Sequence, residues 1–209
     1  MFLIIIGLPG SGKGTQAKLL VEHFNLNYFE AGDFLREIAE NNTRIREVMN
    51  SGKLVDEVDM TRYVTEYFDE KKDKLQNILF DGFPRFPSQY VAFKKWLAEK
   101  NLKIDVVIFL EVSDEEVMRR LSARRVCEKC ETVFNLITNP PKTDKCDNCG
   151  GQLLQREDDT PKAIKIRLEY FHQNTDPMLS LMDNDEVLMK VNGERDITEI
   201  SKDIISRIK

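Results

Sequence analysis

An apolar run, Phe2-Leu3-Ile4-Ile5-Ile6, carries the chain straight into Gly7-Leu8-Pro9-Gly10-Ser11-Gly12-Lys13-Gly14-Thr15. A buried strand, a glycine loop and a lysine opening a helix form the layout of a phosphate-binding P-loop. Glycines let backbone N–H groups turn toward phosphate oxygens with no Cβ in the way. Lys13 adds a mobile point charge, and the helix beginning beside it presents its positive dipole end. Gly7, Gly12 and Lys13 meet the spacing G-x-x-x-x-G-K. The following position is Gly14 and the hydroxyl comes one residue later at Thr15, so the usual magnesium-ligating position is displaced. A glycine turn with a chance lysine is the bland alternative; the preceding strand argues against it.

A chain of 209 residues fits one domain, or one core with small insertions. Hydrophobic content of 41% and charged content of 32% suit a globule with a real core. The net charge of -5 argues against bulk nucleic-acid binding, which needs a basic face for counterion release. Nothing resembles a signal peptide, because Met1 has no basic flank and the first apolar run ends in the loop glycines. No apolar stretch approaches membrane-spanning length. The expected home is the cytoplasm, with no membrane partner.

Further apolar runs without alternation, Asn77-Ile78-Leu79-Phe80 and residues 105–110, read as strands buried on both faces. Residues 187–191 are a weaker run, and Asn27-Tyr28-Phe29 is a short candidate. Helical patterns lie between them. Ser113 with Glu116, and Asp196 with Glu199, read as capping boxes. Thr160 before Pro161 places a cap ahead of a first-turn proline. Strand and helix alternate, which implies a doubly wound α/β sheet with ligands at the C-terminal edge of its strands.

All four cysteines fall in two knuckles, Cys127-x-x-Cys130 and Cys146-x-x-Cys149. Four thiolates at this spacing match a closed, structural zinc site. Disulfides and an iron–sulfur cluster stay open as alternatives, the former disfavoured in a reducing compartment. His23 and His172 read as surface or packing residues. Bound metal would fold a lobe too short to hold a core of its own.

A third signal is Ile78-Leu79-Phe80-Asp81-Gly82-Phe83-Pro84-Arg85, followed by Gln89. A strand here ends in an acid where a P-loop protein places a carboxylate for Mg²⁺ or its waters. Gly82 permits close approach of a ligand, and Pro84 stiffens the turn that projects Arg85. Taken alone, an Asp-Gly-x-Pro segment is equally a plain turn.

Together these motifs resemble the adenylate kinases, in the long bacterial-type form with a zinc-binding lid. The matching residues are the loop through Gln16, Ala31-Gly32-Asp33-Phe34-Leu35-Arg36, Gly52-Lys53-Leu54-Val55, Asp81-Gly82-Phe83-Pro84-Arg85 with Gln89, Arg124-Arg125-Val126-Cys127, and Arg156-Glu157-Asp158-Asp159 with Arg167. They follow the family's order over nearly the whole chain. The resemblance implies a five-stranded parallel core from residues 1–29, 60–125 and 159–209. It also implies a monophosphate-binding insert at 30–59 and a lid at 126–158.

It implies roles as well. Gly10, Ser11, Gly12, Lys13, Gly14 and Thr15 would hold the donor phosphates of ATP, with Arg120, Val133, Phe134 and Arg195 near the donor nucleotide. Ala31, Arg36, Lys53, Leu54, Val55, Gly82, Phe83, Arg85 and Gln89 would form the AMP site, with Arg36 and Arg85 on the phosphate and Gln89 on the adenine edge. Arg124, Arg156 and Arg167 would converge on the transferring group, the latter two also touching AMP. Asp81 would order Mg²⁺ waters, while Asp158 and Asp159 would support the hinge and the arginines. ADP is the product, and family habit gives a monomer.

The chemistry suits this residue set. A nucleoside monophosphate is already an anionic nucleophile, so no general base is needed, and none is apparent in the sequence. Phosphoryl transfer needs in-line positioning and fixed positive charge, which arginine's planar fork supplies. A lid excludes water. Arg44, Arg46 and Arg62 read as solvated surface pairs of little energetic worth.

Some positions depart from the family pattern. Glu30-Ala31 replaces a small hydroxyl pair, and Ala31 resembles the pyrimidine-monophosphate kinases, whereas Gln89 favours AMP. The run from Gly52 into Asp56 is one residue shorter than family habit. A UMP/CMP-type kinase, or one indifferent to its triphosphate donor, is the alternative within the class. A zinc-ribbon module with a regulatory P-loop is the alternative outside it. A ribbon gripping nucleic acid should be basic with exposed aromatics. Residues 127–149 instead mix Lys129, Lys142 and Lys145 with Glu128, Glu131, Asp144 and Asp147, and Phe134 is their lone aromatic.

Overall fold

Strand β1 (Phe2–Gly7) is buried at every position. Its side chains alternate between two cores, as period-2 geometry requires. Phe2, Ile4 and Ile6 face a large cluster with Phe29, Phe68, Phe80 and Phe93. Leu3 and Ile5 face a second cluster with Ala17, Leu20, Ile200 and Ile204. A strand covered on both sides needs no polar face, which is why the sequence there is uninterrupted Phe, Leu and Ile. Each such side chain contributes about 1.5–3 kcal/mol by leaving water. The structure is a computed structural model and describes residues 1–50, 54–156 and 159–208. The expectations at Gly52, Lys53, Glu157 and Asp158 lie outside the described residues.

After β1 come α1 (Lys13–Phe24), β2 (Asn27–Glu30), α2 (Ala31–Asn41), α3 (Thr43–Asn50), α4 (Glu57–Glu70), β3 (Ile78–Asp81), α5 (Pro87–Ala98), β4 (Val106–Glu111) and α6 (Asp114–Ser122). Three short strands follow, β5 (Arg124–Cys127), β6 (Val133–Asn135) and β7 (Leu153–Leu154). The chain closes with α7 (Pro161–Asn174), α8 (Asp176–Asn184), β8 (Leu188–Asn192) and α9 (Ile197–Arg207). The main sheet has five strands in the order β2-β3-β1-β4-β8, and every pairing in it is parallel. The predicted doubly wound sheet is therefore present. Each predicted strand is shifted by one residue or less, most of them toward the C-terminal side. Register sets Asp81 at the C-terminal edge, opposite Ile5 of β1 and Glu30 of β2.

The small sheet is antiparallel, in the order β6-β5-β7. Its core consists of Cys127, Phe134 and Cys146 with Leu153 packed against them. It grows out of α6 and returns into α7, whose shared core is Val117, Leu121, Ile164 and Leu168 with Leu8. Asn135 Nδ2 ties its root to the Arg120 carbonyl at 2.8 Å.

Helix starts follow the sequence, but neither predicted capping box, Ser113–Glu116 or Asp196–Glu199, closes with a return bond from its glutamate. Thr160 caps α7 through the Ala163 N–H, with Pro161 in the first turn. Asp196 caps α9 through the Thr198 N–H. Ser113 accepts from the Glu116 N–H at 3.4 Å, but Glu116 does not return the bond. Its carboxylate is drawn to Arg119 and Arg120, and Glu194 takes the Ser113 N–H at 2.8 Å. Two guanidiniums outcompete one amide for the same carboxylate.

Candidate functional site

Helix α1 has no side-chain cap, unlike α2, α4, α6, α7 and α9, and no acid in its first turn, a lack it shares among these only with α7. Gly12 stands at its N-cap with φ 99°, a left-handed conformation that glycine alone adopts without strain, and a Cβ there would point into open space. The first N–H groups of the helix are thus left to an external acceptor, which is the physical requirement for an anion site. Gly14 and Thr15 are exposed on this rim, whereas Ser11 is buried with an unpartnered hydroxyl. Lys13 donates to the carbonyls of Gly7 at 2.9 Å and Leu8 at 3.1 Å. Burial lowers its ammonium to about 8, against the opposing pull of Asp81. Arg85, Arg167 and Arg124 lower it further, so all three guanidiniums lie within electrostatic reach of the loop lysine.

Asp81 is buried beside the start of α1, its Oδ2 3.9 Å from where a Cβ on Gly14 would stand. Tyr28 donates its hydroxyl to the same oxygen at 3.2 Å. Burial and then the Asp81 charge push the Tyr28 phenol well above its ordinary range. Tyr28 was not singled out by the sequence; β2 pairs with β3 in a register that brings it alongside Asp81.

Residues 82–89 are held by their own backbone. Arg85 Nε donates to the Gly82 carbonyl at 2.8 Å. Gln89 Oε1 accepts from the Arg85 N–H at 2.8 Å, and its Nε2 donates to the Glu57 carbonyl at 3.2 Å. The predicted adenine reader is therefore buried and engaged at both ends of its amide, fixing the turn that presents Arg85. Burial pulls the Arg85 guanidinium below its ordinary value, while Asp81 and Glu30 push it back up. Ala31, Leu54, Val55, Gly82, Arg85 and Gln89, six of the predicted AMP-site residues, wall one cavity with Leu35, Met60 and Phe86. Its volume of ≈ 30 Å³ is far below the roughly 300–1,000 Å³ of small-molecule sites. A nucleotide therefore needs these walls to part. Phe83 is buried in the core behind them, in edge contact with Phe93. Arg36 stands apart from the cavity, contacting Asp33 and lying 3.5 Å from Glu30.

On the other side of the loop, fully buried Asp159 binds Arg124 through both oxygens, at 2.7 Å to Nε and 2.5 Å to Nη2. Arg167 Nη1 approaches Asp159 at 3.4 Å. One carboxylate thus holds two of the predicted catalytic arginines together. Arg156 is exposed, three residues before Asp159, whose N–H donates to its carbonyl at 3.1 Å. Arg120 is buried, with Nε on Glu116 at 2.6 Å and Nη1 on the Ser11 carbonyl at 3.2 Å. It braces the loop instead of offering a free face. Val133 is half exposed, Phe134 is buried in the small lobe, and Arg195 binds Asp203 at 2.5 Å.

Arg44 and Arg62 pair with Asp59 on the surface, as expected. Arg46 differs: it covers the Ala39 and Glu40 carbonyls at the end of α2. His23 lies edge-on to Phe24, and His172 bridges Asp114 and Asp176. The four cysteine sulfurs lie within 4.8 Å of one another, with Cys127–Cys149, Cys130–Cys146 and Cys130–Cys149 at 3.4, 3.5 and 3.3 Å. All four are free thiols. Zn–S bonds of about 2.3 Å place tetrahedral sulfurs about 3.8 Å apart, so the donor set fits a zinc ion. The Lys129 N–H points at Cys127 Sγ from 3.4 Å, as a backbone donor does that stabilises a metal-bound thiolate. Among the described residues, no helix is long and apolar enough to cross a membrane.

The sequence model of the adenylate kinase family matches residues 5–187. Among curated proteins, an adenylate kinase of Caldicellulosiruptor saccharolyticus is 38% identical over 213 aligned positions, covering 100% of this chain and 99% of that protein. One from Staphylococcus epidermidis is 39% identical, covering 98% and 97%. One from Thermosipho africanus is 36% identical, covering 100% of both.

Proposed function

This chain belongs to the adenylate kinase family, and from that premise we propose how its residues divide the work. It catalyses reversible phosphoryl transfer between ATP and AMP, giving two ADP. The observation that carries the residue assignment is the placing of Arg85, Arg124, Arg167 and Asp81 all within electrostatic reach of Lys13, with Asp159 holding Arg124 and Arg167 together. Four cations at one sheet edge suit a reaction whose transition state spreads negative charge over phosphoryl oxygens.

In this reading the N–H groups from Gly10 to Thr15 and Lys13 hold the donor phosphates. Arg85, presented by Gln89 and Gly82, takes the acceptor phosphate, and Arg36 swings from Asp33 and Glu30 to join it. Lys53 lies in the same insert. Arg124 and Arg167, held by Asp159, meet the transferring group, with Arg156 beside them. Residues 30–59 form the acceptor insert and 126–158 the lid over the donor, with Val133 on its outer strand, Phe134 building its core and Arg195 bordering the donor base. Acceptor entry parts the walls of the small cavity, and Gln89 exchanges its backbone partners for the adenine edge.

Mg²⁺ accompanies the nucleotide in this family, neutralising charge on the phosphates. Asp81 supplies a buried oxygen donor of the hard type that magnesium prefers, and Tyr28 orients it. Cys127, Cys130, Cys146 and Cys149 would hold Zn²⁺, whose part is structural because four thiolates leave no open position. A monomer working in the cytoplasm with no membrane or nucleic-acid partner completes the reading.

The test is a coupled assay of ADP formation from ATP with AMP, with UMP, with CMP, and with no acceptor. Preference for AMP supports the assignment. A preference for UMP or CMP removes the adenine role of Gln89, and full turnover without an acceptor removes the kinase reading.

A further inference from the structure

Glu30 caps α2 with a side chain longer than the usual Ser, Thr, Asp or Asn. Its Oε1 accepts from the Gly32 N–H at 3.1 Å and its Oε2 from the Asp33 N–H at 2.7 Å. The same Oε2 lies 3.5 Å from Arg36 Nη2. Arg85, across the turn, also feels Glu30 as a neighbouring negative charge. The geometry is compact: a Cβ on Gly82 would stand 3.0 Å from Arg85 Nη2 and 3.3 Å from Ala31, the residue next to Glu30. A Cβ on Gly32 would stand 2.9 Å from Glu30 Oε1 and 3.5 Å from Arg36 Nη1. One partly buried carboxylate therefore occupies helix N–H groups, contacts one guanidinium and biases a second. These are the partners that an incoming phosphate needs.

We propose that Glu30 is a resident counter-anion of the acceptor site, which the phosphate of the incoming monophosphate must displace from Arg36 and the N-terminus of α2. This rests on the reading that Arg36 and Arg85 hold the acceptor phosphate. Two anions compete for one set of donors, so Glu30 weakens monophosphate binding and leaves the donor site alone. It is a positioning and specificity-determining residue; it forms no bond to substrate. The competition also discriminates among acceptors. A phosphate dianion displaces a carboxylate more readily than a singly charged group does, so the site favours phosphomonoesters over phosphodiesters or sulfate esters.

The experiment compares the full-length enzyme with Glu30→Gln, which keeps a cap acceptor and removes the charge, and with Glu30→Ser, which supplies a favoured cap if Gln perturbs the helix. In both, KM for AMP and its dissociation constant by calorimetry fall about fivefold, the scale of a partly exposed ion pair, while KM for ATP stays constant. An unchanged or raised KM for AMP in both variants overturns the proposal, a rise meaning that Glu30 binds the substrate itself. Arg36→Ala separates the two layers. If it raises KM for AMP while the Glu30 variants do nothing, only the counter-anion role fails. If it leaves KM for AMP unchanged, the acceptor-site reading fails, and this proposal with it.

Discussion

Asp159 grips Arg124 from both sides of its guanidinium fork, at 2.7 and 2.5 Å, from a position with no solvent exposure. A buried carboxylate paired this way is there for orientation, since the same charges near water would contribute little. Asp159→Asn keeps the shape and halves the pairing. A hydrogen bond to a charged group is worth about 1.5–3 kcal/mol, so kcat should fall roughly 10- to 150-fold. KM for both nucleotides should move far less. Steady-state kinetics with each nucleotide varied checks this; a fall confined to KM would place Arg124 outside the transition state.

Lys13 gives a pH prediction with a definite sign. Its ammonium is lowered to about 8 by burial and by three guanidiniums, and the negative charge of bound phosphates outweighs them by favouring the ammonium. Between about pH 8 and the ordinary lysine value near 10.4, the free protein holds Lys13 mostly neutral while the complex holds it charged. ATP binding in that window should take up to about one proton and weaken up to tenfold per pH unit. Calorimetry in buffers of different ionisation enthalpy measures the uptake. Uptake that persists in Lys13→Met would assign the proton elsewhere.

The small lobe has three short strands and a core of two cysteines, one phenylalanine and one leucine. Metal analysis of protein purified without chelator should find about one zinc per chain. Removing it should open residues 131–145 to protease while the five-stranded sheet keeps its circular dichroism. Equal protease resistance before and after chelation would show that the lobe stands without metal.

Protonated His172 donates to Asp176 at 2.7 Å and to Asp114 at 3.0 Å, and these partners raise it above its ordinary value. A raised histidine stabilises fully below its unfolded value near 6.5 and loses that contribution as pH climbs through the folded value. The gap in stability between the wild type and His172→Gln should be wider at pH 6 than at pH 8.5, by urea unfolding. The side chain is nearly half exposed, so the gap is small. A gap independent of pH would mean that packing alone is at work.

How far the residues foretold this molecule depends on distance along the chain. Strands β1, β3 and β4 were legible because each is covered on both faces and has no polar face to blur the signal. Lys13 and the cysteine pairs were legible because their spacing is local. Tyr28 and Glu30 were not legible as partners of Asp81 and Arg85, since only the β2–β3 register places them there. Gln89 was read as a base reader from its type; its bond to Arg85 closes the local turn before α5, and its bond to Glu57 comes from the packing of α4 against α5. Ser113 misled because Glu194, far along the chain, supplies the acceptor that Glu116 was expected to provide.

Four thiols do for the lobe what Phe and Ile do for the main sheet, and this exposes one part of the protein to a chemistry the rest ignores. Sulfurs already 3.3–3.5 Å apart need little movement to join as disulfides. Oxidants, or competition for metal, would therefore act first on this small lobe, the lid of the reading proposed above, and leave the five-stranded sheet standing. If the lobe is that lid, supply of an ion and redox state become inputs to how fast adenine nucleotides are interconverted.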